Sequence, residues 1–133
     1  MAKEILIVDD DPDFTETMEI MLRAHGYSTR IASSGKEAIG EVKRKHPDII
    51  LLDIMMETKG DGIWASEKIK ADVSLKHIPI IMITAVSKDA QMSRMDLGAE
   101  KNAEYVPVEV FMDKPVESKE LLDEIKRLIG GPE

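Results

Sequence analysis

The sequence predicts an α/β domain built on a five-stranded parallel sheet with helices on both faces. Three observations lead there. Over 133 residues, five short apolar segments alternate with five segments whose apolar residues recur at helical spacing. Each crossover must then return the chain in the same direction, so neighbouring strands run parallel. The first, third and fourth strand segments are continuous Val/Ile/Leu/Met runs, as burial on both faces requires. The strand segments also close on polar, chemically useful residues: Asp9 and Asp10, Asp53, Thr84 and Lys114.

Each element has its own local reason. "EILIVDD" opens as a short apolar strand. In "DPDFTETMEIMLRAHG", Phe14, Met18, Met21 and Leu22 fall on one helical face. Asp11 is placed to cap that helix, Pro12 suits its first position and Gly26 its stop. "YSTRIA" is more polar, as an edge strand should be. A helix follows from about Gly35 to Lys45 with Ala38, Ile39 and Val42 inward. "PDIILLDIMM" is the third strand, and Gly60 and Gly62 break the loop beyond it. Helices are expected from about Ile63 to Ala71 and, after the strand "IPIIMITAV", from about Lys88 to Leu97. "VEVFMDKP" supplies the fifth strand. The last helix presents Leu121, Leu122, Ile125, Leu128 and Ile129 on one side.

Composition narrows the function. The length suits one domain, expected over residues 1–133 with no output domain. No apolar run approaches the ~20 residues of a membrane span, and the start reads as a strand rather than a signal peptide, so a cytoplasmic protein is expected. The absence of cysteine excludes disulfides and thiolate metal sites. A net charge of −8 argues against a broad nucleic-acid surface and favours a cation-dependent site.

The sharpest feature is Asp53 inside "IILLDIMM". An ionised carboxylate in so apolar a strand costs several kcal/mol unless it is paired or does chemistry. In a parallel sheet the carboxyl ends share one edge, where open α/β folds bind ligands. With strand order 2-1-3-4-5 the first and third strands are neighbours, about 4.8 Å apart. Asp9, Asp10 and Asp53 then converge at the point where the strand order reverses. Thr84 lies beyond Asp53, and Lys114 reaches inward from two strands away. Carboxylates this close repel one another unless protons or a cation intervene. Oxygen donors with no histidine or cysteine beside them suit Mg²⁺. A hydroxyl and an ammonium opposite them describe a phosphoryl site.

That constellation resembles the receiver domain of two-component response regulators. The likeness is carried by "ILIVDDDP", "IILLDIMM", "DGIW", "IIMITA" and "DKP", in order and at strand ends, over nearly the whole chain. It implies a doubly wound, flavodoxin-like fold with strand order 2-1-3-4-5. It implies Asp53 as phosphoacceptor and Asp9, Asp10, Asp53 and the Met55 carbonyl as the Mg²⁺ site, Asp9 through a water. Thr84 and Lys114 would each meet a phosphoryl oxygen. Pro115 would follow a cis peptide bond. Thr84 and Phe111 would form the switch pair that carries the change to the surface. The implied donor is a sensor histidine kinase or a histidine phosphotransfer protein. The output is an unidentified protein partner or a phosphorylation-dependent homodimer, without direct nucleic-acid binding or membrane insertion. Such a protein promotes its own phosphorylation without being an enzyme in the usual sense.

The chain departs from the family pattern in places. Met56 is followed by Glu57 where receivers commonly have proline. The run from Gly98 to Lys114 is longer than usual, the excess falling on about Glu100 to Pro107 beside the expected output face. Met55 and Val86, apolar and beside the phosphoryl position, predict slow loss of the phosphoryl group. Trp64 is expected near the same rim. Asp11 reads as a helix cap, and His25, His46 and His77 have no metal-binding spacing. Two rivals remain at this level. Asp9 and Asp11 satisfy the D-x-D pattern of haloacid-dehalogenase-like phosphohydrolases, and a receiver-like module that never takes phosphate would keep the same fold.

Overall fold

The computed structural model describes residues 2–53, 61–84 and 108–133. The expected helix over residues 88–97, the long run over 100–107, and Met55, Glu57 and Val86 lie outside these, as does the Thr84 side chain. In chain order the elements are β1 (Glu4–Val8), α1 (Pro12–Ala24), β2 (Ser28–Ala32), α2 (Gly35–Arg44), β3 (Ile49–Asp53), α3 (Asp61–Ala71), β4 (Ile80–Thr84), β5 (Val110–Asp113) and α4 (Ser118–Ile129). The strands form one sheet in the order β2-β1-β3-β4-β5, with every neighbouring pair parallel. The expected topology and edge position of β2 are both found.

Side chains alternate across the sheet and sort the core into two halves. Leu6, Val8, Ile50, Leu52, Ile80 and Met82 pack with Ala38 and Val42 of α2 and with Ala65 and Ile69 of α3. Ile5, Ile7, Ile49, Leu51, Ile81 and Ile83 pack with Met18 and Leu22 of α1 and with Leu121, Leu122 and Ile125 of α4. Burying one such side chain contributes about 1.5–3 kcal/mol. The double covering explains why β1 and β3 are buried along their full length.

The helix ends follow local chemistry. The Asp11 carboxylate accepts from Asp13 N at 3.0 Å and Phe14 N at 3.4 Å, and Pro12 opens α1. Gly26, at φ 94°, supplies the left-handed residue that ends it. Ser34 caps α2 by accepting from Glu37 N at 3.0 Å, while Glu37 Oε1 accepts from Ser33 N at 2.8 Å. The third helix starts at Asp61, two residues before the expected Ile63, so "DGIW" belongs to its first turn.

Candidate functional site

The site is assembled where three strands end. Asp9 directly follows β1, and its N–H donates to the Ala32 carbonyl at 3.1 Å, extending the ladder and holding its backbone. Asp53 is the last residue of β3, and the register Val8↔Leu52 sets it beside the chain that leaves β1. Lys114 follows β5 directly, and its bond to Pro115 is cis, as expected. The backbone of Thr84 ends β4, in register with Asp113.

Asp9, Asp10 and Asp53 each bring a carboxylate oxygen within 4.8 Å of the other two. Asp9 is 2% exposed and Asp53 3%, whereas Asp10 is open to solvent. Asp53 is therefore enclosed, and among the described residues the cluster meets solvent through Asp10. Asp9 Oδ1 accepts from Asp11 N at 2.9 Å and Oδ2 from Lys114 Nζ at 3.0 Å. The same ammonium lies 3.7 Å from Asp53 Oδ2 and 4.3 Å from the centroid of the Phe14 ring. Three carboxylates thus converge, and the Lys114 ammonium reaches the two buried ones, Asp9 and Asp53. The excess negative charge and the all-oxygen donor set fit a hard divalent cation.

Phe111 is half-buried on β5, packs against the core half that holds α2 and α3, and pairs in register with Met82. It has the packing of a core residue at the position expected of the switch. Trp64 is not where the sequence placed it. The residue, 41% exposed, lines a groove of about 450 Å³ with Ile39, Lys43, Lys68, Ala71, Asp72 and Leu75, between α2 and α3. Position within the first turn of α3 does not reveal which way a side chain leaves the helix, and here it leaves toward α2. His46 and His77, unrelated in sequence spacing, have ring centroids 6.1 Å apart. Each precedes the start of its strand by three residues, and those strands, β3 and β4, are neighbours. That equal offset was the available signal. The Phe14 contact with Lys114 was also missed, because the residue's helical spacing reads as ordinary core.

The architecture and site together define a doubly wound α/β domain with an acid cluster at its topological switch point. The response regulator receiver domain family matches residues 5–126. The chain belongs to that family. Among curated relatives, the polar-differentiation response regulator DivK of Brucella ovis is 29% identical over 98% of both chains. The DNA-binding response regulator MtrA of Mycolicibacterium smegmatis is 32% identical over 95% of this chain, which spans 50% of MtrA's length. Among solved structures, a response regulator from Chloroflexus aurantiacus is 29% identical with a TM-score of 0.81, covering 97% of this chain and 98% of that one. The receiver domain of sensor histidine kinase PA1611 from Pseudomonas aeruginosa, solved with a magnesium ion coordinated in its active site cleft, is 29% identical with a TM-score of 0.80, covering 98% and 100%. No helix among the described residues is long and apolar enough to cross a membrane.

Proposed function

We propose that this receiver accepts a phosphoryl group on Asp53 and that the new charge alters a protein-binding surface. The observation that carries the reading is the sharing of one Lys114 ammonium by the convergent acids of β1 and β3. The donor is a phosphohistidine of a sensor kinase or a histidine phosphotransfer protein. A carboxylate oxygen of Asp53 bonds to phosphorus as the P–N bond breaks. The imidazole nitrogen keeps the electron pair and takes up a proton. A carboxylate attacks as the anion and needs no general base to remove a proton during the step. Lys114 stands where it can follow negative charge from the carboxylate to a phosphoryl oxygen, so its work is alignment and charge compensation. Asp9, Asp10 and Asp53, with the Met55 carbonyl, would hold Mg²⁺, which when bound neutralises phosphoryl oxygens. Hydrolysis of the acyl phosphate returns the Asp53 carboxylate and inorganic phosphate.

In this reading Thr84 and Phe111 transmit the change, and the effect reaches another cytoplasmic protein or a second copy of the chain. The reading draws on the likeness to DivK, a response regulator of which this chain covers 98%. The phosphohydrolase reading needs Asp9 as nucleophile, but both of its carboxylate oxygens are engaged, by Asp11 N and by Lys114. Incubation with acetyl phosphate and Mg²⁺ followed by intact-mass measurement tests the proposal. A phosphoryl adduct on the wild type that Asp53→Asn lacks is expected. An adduct on Asp9, or none at all, would refute it, the second outcome favouring the module that is never phosphorylated.

A further inference from the structure

We infer that Phe14 is a positioning residue for Lys114, acting through the face of its ring; this rests on the proposed phosphorylation of Asp53. Four residues close a circuit of contacts. Asp9 Oδ1 accepts from Asp11 N at 2.9 Å, and the Asp11 carboxylate caps α1, accepting from Phe14 N at 3.4 Å. The Phe14 ring lies under the Lys114 ammonium with 4.3 Å from nitrogen to ring centroid, and that ammonium returns to Asp9 Oδ2 at 3.0 Å. Asp53 is the further acceptor, at 3.7 Å.

The circuit matters because a lysine is a compact charge on a flexible stem. Two anions and one aromatic face surround this one, and its side chain is 22% exposed. The anions alone would let the ammonium settle on whichever carboxylate is more negative. The ring face attracts a cation without carrying net charge, so it restrains the ammonium without neutralising it. The charge that phosphoryl transfer needs therefore stays available beside Asp53. Because Asp11 ties the first turn of α1 to the Asp9 carboxylate, the ring is held by the same acid that shares the ammonium.

A fluorinated series separates this role from plain packing. Replacing Phe14 by 4-fluoro-, 3,5-difluoro- and 3,4,5-trifluorophenylalanine withdraws electron density from the ring while nearly preserving its shape. Two readouts are taken on the full chain: the NMR shift of Lys114 Cε, and the initial rate of Asp53 adduct formation from phosphoramidate with Mg²⁺. The Lys114 signal is expected to move stepwise with fluorination, and the rate to fall by about three- to tenfold across the series. Phe14→Tyr should restore most of the rate lost in Phe14→Leu. A rate that is flat along the fluorine series, or a Lys114 signal that does not move, overturns the inference even if Phe14→Leu is slow, since the ring would then only fill space. A wild type that forms no adduct would instead defeat the proposed function itself, a distinct outcome read before any variant is made.

Discussion

The two ends of the sheet handle charge in opposite ways. At the amino end, cations and anions occur together in pairs. Arg30 lies 3.1 Å from Glu4 and 2.7 Å from Glu41, and donates to the Lys45 carbonyl at 2.5 Å. Lys70 donates to the carbonyls of Lys76 and Ile78 at 3.0 and 2.8 Å and to Glu109 at 2.9 Å, while Glu109 accepts from Ile80 N at 2.7 Å. The Arg44 guanidinium, followed by that of Arg30, holds the Glu41 carboxyl below its usual range. At the carboxyl end, among the described residues, three acids converge and one ammonium reaches two of them. Paired groups at the first end fasten strands and turns together. The imbalance at the second leaves carboxylate repulsion that a bound cation would relieve.

The comparison breaks if variants at the two ends behave alike. The largest contrast is between Asp53→Asn and Arg30→Met. Asp53→Asn should abolish adduct formation while leaving thermal stability unchanged or higher, because it removes one of three repelling charges. Arg30→Met leaves Glu4, whose side chain is 11% exposed, with only Lys45 at 3.7 Å as a partner, and should cost about 3 kcal/mol in urea unfolding without slowing phosphorylation. Equal stability losses in the two variants would show that the acid rim is also structural.

Lys70→Met comes next, with an expected loss of about 2 kcal/mol, because two carbonyls and one Glu109 carboxylate oxygen lose this donor. Chemical denaturation measures it, and the rate of adduct formation should hold. Asp10→Asn sharpens the contrast from the other side. It should raise the melting temperature slightly in EDTA, and it should weaken Mg²⁺ binding by calorimetry. A lower melting temperature in EDTA would mean that Asp10 is paired rather than repelled.

The smallest effect concerns Tyr27, just before β2 at the amino end. Burial raises its pKa above the ordinary 10.0, and its hydroxyl donates to the Gly130 carbonyl at 3.3 Å. The folded chain therefore holds that proton more tightly than the unfolded chain. The stability it contributes is fully present below pH 10 and is lost as pH rises through the raised value. Melting temperatures measured across that range should fall more steeply for wild type than for Tyr27→Phe.

Much of this protein was legible one residue at a time. Asp11, Pro12 and Gly26 bound α1 because capping, ring constraint and left-handed backbone are local properties. The apolar runs "ILIV", "IILL" and "IIMI" announced doubly covered strands, and a polar residue closing each run marked one functional edge. The direction of the Trp64 side chain, the meeting of His46 with His77 and the seat of the Lys114 ammonium on Phe14 were not legible. Nor was the degree to which Asp53 is enclosed.

By itself, then, the sequence determined the order and kind of the elements and the set of acids, hydroxyl and amine at the sheet's edge, since periodicity and backbone preference act over a few residues. Only the tertiary structure decided which groups touch. Asp9 and Lys114 are 105 positions apart and come within 3.0 Å because register, helix packing and side-chain direction act together across the sheet. None of these is a property of any single stretch of chain.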